Sequence, residues 1–175
     1  MSIRTLALLL VLGAAGCHAI EVVDHHDPSA DFSQYHTYAF APVADQSVPD
    51  PADVEAFDAR MRSVLTDALA AKGLTPSDDP DLLIGWFADI HKKRAVHQVG
   101  QRYSYAYGWT QGQTRVYDYA EGTLKLEFAD AKTNALVWES TAEGSSKYDS
   151  SEEARTARLR ELVQRMLQGY PPAGS

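Results

Sequence analysis

The chain has 175 residues, a formal net charge of −8 at pH 7 and a single cysteine. That length makes one ordinary domain, able to bury a core without disulfide staples, and one thiol cannot close an internal disulfide. The acidic balance argues against non-specific nucleic-acid binding, which needs Lys and Arg to displace counterions, and against electrostatic docking on anionic lipid.

Residues 1–16 hold one charged side chain, Arg4, then an apolar run over residues 6–12, then Gly13, Ala14, Ala15 and Gly16. A charged start, a short apolar core and a small-residue exit make a secretory signal peptide. The run is shorter than the roughly 20 residues that span a bilayer. Ala14-Ala15-Gly16-Cys17 resembles a bacterial lipobox. The resemblance implies that residues 1–16 are removed and that the Cys17 thiol receives a diacylglycerol at the mature N-terminus. By resemblance to enteric lipoprotein sorting, His18 in place of aspartate favours the outer membrane. Cys17-His18-Ala19 also fits a small-x-Ala cleavage site, which would leave a soluble secreted chain starting at Ile20. With lipidation, residues 17–20 are a short tether and residues 21–172 a single domain.

Residues 22–27 alternate weakly and read as an edge strand; residues 31–35 read as a turn. Residues 37–41 form a strand with Tyr38 and Phe40 on one face. The first helix is capped by Asp50, with Pro51 at its first position and Asp53 and Glu55 at its positive end. Phe57, Met61, Val64, Leu65, Ala68 and Leu69 form its buried stripe, and Lys72-Gly73 closes it. Residues 81–88 are short, apolar and interrupted by Gly85, as in a central strand.

Residues 96–107 and 115–128 read as two strands around a loop at residues 108–113. In the second, Leu124, Leu126 and Phe128 face one way, and Thr123, Lys125 and Glu127 the other. Residues 130–134 are a turn. Residues 135–144 form the last strand, with Leu136 and Trp138 on one face. Ser150 and Glu153 have capping-box spacing before a helix with Leu159, Leu162, Val163 and Met166 buried. Gly169 and Pro171-Pro172 end it. The expected fold is α+β: a mainly antiparallel sheet with both amphipathic helices packed on one face, a two-layer sandwich.

The chain carries no phosphate-cradling glycine loop, zinc helix or nucleophile elbow, and no cofactor motif. Asp24-His25-His26-Asp27 holds metal-ligand types, but on a strand His25 and His26 point to opposite faces, so a solvated edge is the plainer reading. Tyr103, Tyr105, Tyr107 and Trp109 are the candidate ligand-binding aromatic face. Three tyrosines alternate onto one side, with Tyr117 and Tyr119 expected across from them, and the plainer reading is cross-strand packing. His91, Lys92, Lys93, Arg94, His97 and Arg102 form a local basic patch suited to a phosphate or carboxylate, or else a charged strand edge. Asp78, Asp79 and Asp81, interleaved with Pro76 and Pro80, read as turn chemistry. Glu127 and Glu139 with Lys125 read as a solvated charged face.

Several ordered segments resemble the domain-of-unknown-function 4136 family of bacterial envelope lipoproteins. They are residues 30–40, Lys72-Gly73-Leu74, residues 79–84, Gly122-Thr123-Leu124 through Asp130-Ala131, residues 136–139, and Gly169-Tyr170-Pro171-Pro172. This sequence has Phe40 where the family often has Trp, and Glu139-Ser140 where it often has Arg-Gly. The resemblance implies an envelope location and carries no catalytic residue. The expected function is a lipid-anchored envelope protein, non-catalytic, that binds or assembles at the membrane. Its partners would be the membrane through the lipid and an envelope protein or glycan, with no nucleic acid. The alternative is a secreted or periplasmic hydrolase acting on an envelope polymer, which requires several of Asp24, His26, His91, His97 and Glu121 to converge.

Overall fold

Alternating apolar residues build six strands of one sheet, and two helices with apolar stripes cover it. The computed structural model describes residues 20–42, 54–99, 102–104, 108–110, 113–148 and 151–173. Cys17 and the whole signal-like segment, Asp50, Pro51, Tyr105, Tyr107 and Ser150 lie outside the described residues.

In chain order the strands are β1 (Glu21–His26), β2 (Thr37–Phe40), β3 (Thr75–Pro76), β4 (Leu82–Val99), β5 (Arg102–Ser104), β6 (Gly108–Thr110), β7 (Gln113–Asp130) and β8 (Leu136–Lys147). The helices are α1 (Val54–Ala70) and α2 (Glu152–Met166). The main sheet runs β1-β8-β7-β4-β2-β3, and β5-β6 form a separate two-stranded ribbon. Four strands pair antiparallel, but β2 runs parallel to both β4 and β3. The sheet is therefore mainly antiparallel, as expected, but mixed, with short parallel pairings at the β2 edge. The reason is that α1 carries the chain from the end of β2 back to the start of β3, as a crossover joining parallel strands must.

One alternation set of the sheet is buried. Tyr38, Leu82, Ile84, Trp86, Ala88, Leu124, Leu126, Phe128 and Trp138 share a core with Met61, Val64, Leu65 and Leu69 of α1 and Val163 and Met166 of α2. Arg60 of α1 pairs with Glu152 of α2 across the helical layer. Gly73, at φ +85°, takes the left-handed turn after α1 that a side chain resists.

Several sequence expectations change. The strand at residues 81–88 continues to Val99, so residues 96–99 close β4 instead of opening a new strand. Leu136 is exposed, whereas Val137 and Trp138 are both buried. A register shift at Phe128/Ala129 breaks the alternation there, and pattern alone does not reveal a bulge. The cap of α2 is Ser151, whose side chain accepts from the Ala154 amide at 3.2 Å, one residue later than the capping-box pattern suggests. That helix ends at Met166, and a 3-10 turn continues from Leu167 to Gly169.

Candidate functional site

The sheet is unequally covered along its length. β8 ends at Lys147, opposite Tyr119 of β7. Past that row, among the described residues, the ladder is β4 with β7, from Arg94↔Asp118 to Val99↔Gln113, and the Tyr148 amide donates to the Asp118 carbonyl at 3.3 Å. On its other side β4 meets β2 only over Leu82–Ile84. The result is a two-stranded arm leaving the helix-covered body, with Val116 and Tyr117 54% and 47% exposed. Gly122 lies three residues before the arm departs, where β8 still pairs: a Cβ there would fall 1.9 Å from the Asp89 carbonyl oxygen. Only glycine permits that close approach of β7 to β4.

The aromatic candidates lie in the chain between the two strands of the arm. In the β5–β6 ribbon, Tyr103 is the Cα partner of Trp109. Tyr105 and Tyr107 fall outside the described residues. Tyr117 and Tyr119 are not across from this group. They lie opposite Ala95 and Lys93 in β4, because β4 continues to Val99 and takes the pairing expected of a separate strand.

The basic patch is at the base of the arm. Asp118 accepts from Arg94 Nε at 3.0 Å and lies 3.1 Å from Lys92 Nζ. Lys92 also stands 4.4 Å over the Tyr148 ring. The Arg94 and Lys92 contacts hold the Asp118 carboxyl below the usual carboxylate range. His91 Nε2 pairs with Asp89, its neighbour along the strand, at 3.1 Å. These residues edge a strand and brace it against the end of β8.

Asp24, His25, His26 and Asp27 disperse. His26 packs edge-on to Phe32 at 6.2 Å. Asp24 fills the space where a Cβ at Gly169 would stand. His25 is the Cα partner of Glu139. Asp27 is engaged by Ser29, whose hydroxyl and amide donate to it at 2.7 and 2.8 Å and lower its pKa. Among the described residues no three His, Cys, Asp or Glu side chains are grouped to hold a metal ion. Asp24 and His26 belong to the edge strand, whereas His91 and Glu121 are Cα partners in the β4–β7 pair. The convergence required for a hydrolase does not form among these described side chains.

The open sheet face carries the charged group expected of it: Lys125 Nζ lies 2.9 Å from Glu127 and 2.8 Å from Glu139. Asp81 of the proline-rich turn is a latch. It accepts from the His36 amide, the Thr37 amide and the Thr37 hydroxyl at 3.0, 3.0 and 2.8 Å. The His36 contact is the largest cause of its lowered pKa. Asp78 lines a cleft of about 350 Å³ with Tyr38, Phe40, Thr66 and Pro76. Beside Phe40, the Arg62 guanidinium stacks over the Phe40 and Trp86 rings at 5.3 and 5.2 Å. Sequence reasoning missed this stack, since nothing local signals that α1 crosses these two strands.

The motif segments meet inside the protein. Phe32, Phe128 and Trp138 surround Tyr170, with ring centroids at 5.8, 4.8 and 5.5 Å. Lys72 Nζ donates to the Tyr170 carbonyl at 2.6 Å, and Tyr35 OH to Asp130 at 3.2 Å. Burial and the Asp130 carboxylate push the Tyr35 hydroxyl up to about 12. The motifs thus define a packing unit.

The fold is a two-layer α/β domain with a mixed six-stranded sheet. The chain belongs to the family described as Domain of unknown function (DUF4136), whose model matches residues 22–172. Among solved structures it is similar to a PDZ domain protein from Parabacteroides distasonis ATCC 8503, at 16% identity and a TM-score of 0.53. That match covers 88% of this chain and 36% of the other, so the chain spans about a third of that protein's length. It is also similar to a PelC dodecamer from Paraburkholderia phytofirmans, at 15% identity, a TM-score of 0.48, and 84% and 96% coverage. The first likeness is one of fold. No curated protein matches the chain.

Proposed function

We propose that this protein is a lipid-anchored component of the bacterial cell envelope. It is held to the outer membrane through Cys17, faces the periplasm, and acts as a non-catalytic binding or assembly module. The observation that carries the reading is the spacing between Cys17 and the fold. The lone cysteine follows the signal-like segment directly, and β1 begins at Glu21. A thiol so close in sequence to the folded domain supports the anchoring reading. The non-catalytic part is supported by the polar side chains themselves: Asp27, Asp81 and Asp130 hold turns, and Asp118 braces the arm. Tyr103 and Trp109, Cα partners in the β5–β6 ribbon, are the residues offered to an envelope component.

The test is the intact mass of the mature protein purified from its native membrane. A mass starting at Cys17 with added acyl chains is the expected result. A mass starting at Ile20 without lipid overturns the anchor. In cells, Cys17→Ser is expected to leave the membrane fraction while keeping the wild-type melting curve.

A further inference from the structure

Whole-chain charge conceals a polarised distribution. Asp89 and Asp118 bracket the arm and its ribbon, and between them there is no acidic residue, although the chain holds 24. The same segment holds Lys92, Lys93, Arg94, Arg102 and Arg115, of which Lys92 and Arg94 pair with Asp118 at its border, with Tyr103 and Trp109 on the ribbon. Basic residues next to Tyr and Trp are the composition that settles at an anionic membrane interface. The cations meet headgroup phosphates, and the amphipathic rings sit at headgroup level.

The start of the fold gives this segment a direction. Ile20 is packed partly buried against the core, and its carbonyl accepts from Arg165 of α2 at 2.6 Å. Glu21 lies in one row with Glu143, Thr123 and Asp89. β1 runs from that row away from the arm, so Ile20 lies on the arm's side of it. Residues 17–19 extend at most about 11 Å. From the row of Asp89 the arm runs to Val99, about 33 Å at the rise of a strand. The opposite end of β4, at Leu82, is about 23 Å the other way and out of the tether's reach.

We propose that the β4–β7 arm and its β5–β6 ribbon are a second membrane contact, which docks on the anionic surface of the bilayer that holds the lipid. This rests on the lipid-anchor reading for its geometry, whereas the charge segregation stands by itself. The two contacts set the orientation of the domain. The covered body hangs away from the membrane, with the arm against it.

The experiment uses the full chain in two forms. Lipidated protein, its mass verified, is reconstituted into phosphatidylethanolamine–phosphatidylglycerol vesicles containing brominated lipid. Trp86 and Trp138 are 4% and 1% exposed, so quenching of their emission is not expected. The expected result is quenched emission that Trp109→Phe abolishes; no quenching, or equal quenching in Trp109→Phe, overturns the contact. Separately, Cys17→Ser protein is floated with the same vesicles without bromine. Flotation is expected at low salt and not with phosphatidylcholine alone. Combining Lys93→Glu, Arg102→Glu and Arg115→Glu should weaken it by at least about tenfold. Equal flotation after that reversal, or none at low salt, overturns the proposal. An unlipidated wild-type mass with salt-sensitive flotation would sink the anchor and leave the arm contact standing. A lipidated mass without Trp109 quenching would do the reverse.

Discussion

Strands β4 and β7 pair along eighteen residues each, but the two ends of that hairpin are built for different surroundings. From Leu82 to Ala88 and from Leu124 to Phe128, one residue in two is buried beneath α1 and α2. Past the row of Gly122 the same ladder continues with charged and aromatic residues and, beyond the end of β8, ends as a two-stranded arm. The β4–β7 ladder runs through both halves, and β2 and β8 add pairing only in the covered one. The larger difference is the apolar area removed from water, which supplies most of the stability. The body of the hairpin is therefore core, and the arm is surface carried on it.

The strongest way to break this comparison is Leu126→Asp in the covered half. It buries a charge with no partner, and loss of cooperative melting by circular dichroism is expected. Wild-type-like melting would mean that the buried face is misassigned. Next is the junction. Gly122→Ala brings a methyl against the Asp89 carbonyl backbone, and a loss of about 2–4 kcal/mol in denaturant unfolding is expected.

Smaller is Asp81→Asn, which weakens the latch between β2 and β4. A loss of about 1–2 kcal/mol is expected near neutral pH. The pH dependence sharpens it. Asp81 has a folded pKa below its unfolded value, so its contribution is present above about pH 4 and is lost as pH falls through the folded value. The difference between wild type and Asp81→Asn should shrink on acidification, and a constant gap from pH 7 to pH 2 would exclude the carboxylate as its cause. The smallest effect belongs to the arm. Val116→Thr should change the melting free energy by less than about 0.5 kcal/mol, since that side chain is already 54% exposed. A large loss would show the arm to be part of the core.

Much of the body was legible from pattern. The stripe Phe57, Met61, Val64, Leu65 and Leu69 of α1 is buried as its spacing requires, and so is the alternating set Leu124, Leu126 and Phe128. The candidate aromatic site was legible only as composition. Alternation marked Tyr103 as strand-forming, but not that β4 would run on to Val99 and take the pairing with β7. The acid-free stretch was present in the sequence too, hidden by averaging charge over the whole chain.

By itself the sequence determined where strands and helices form and which side of each is apolar, because those depend on periods of two and 3.6 along a local stretch. It also determined the family and the order of its motifs. Only the tertiary structure decided that β2 and β4 run parallel, that Val137 and Trp138 are both buried, and that Lys72, Tyr170, Phe32 and Phe128 assemble at one end of the core. It alone set the arm beyond the helices, on the side from which the chain enters β1. Those features join residues far apart in the chain, and their energies depend on which surfaces meet, which no local pattern encodes.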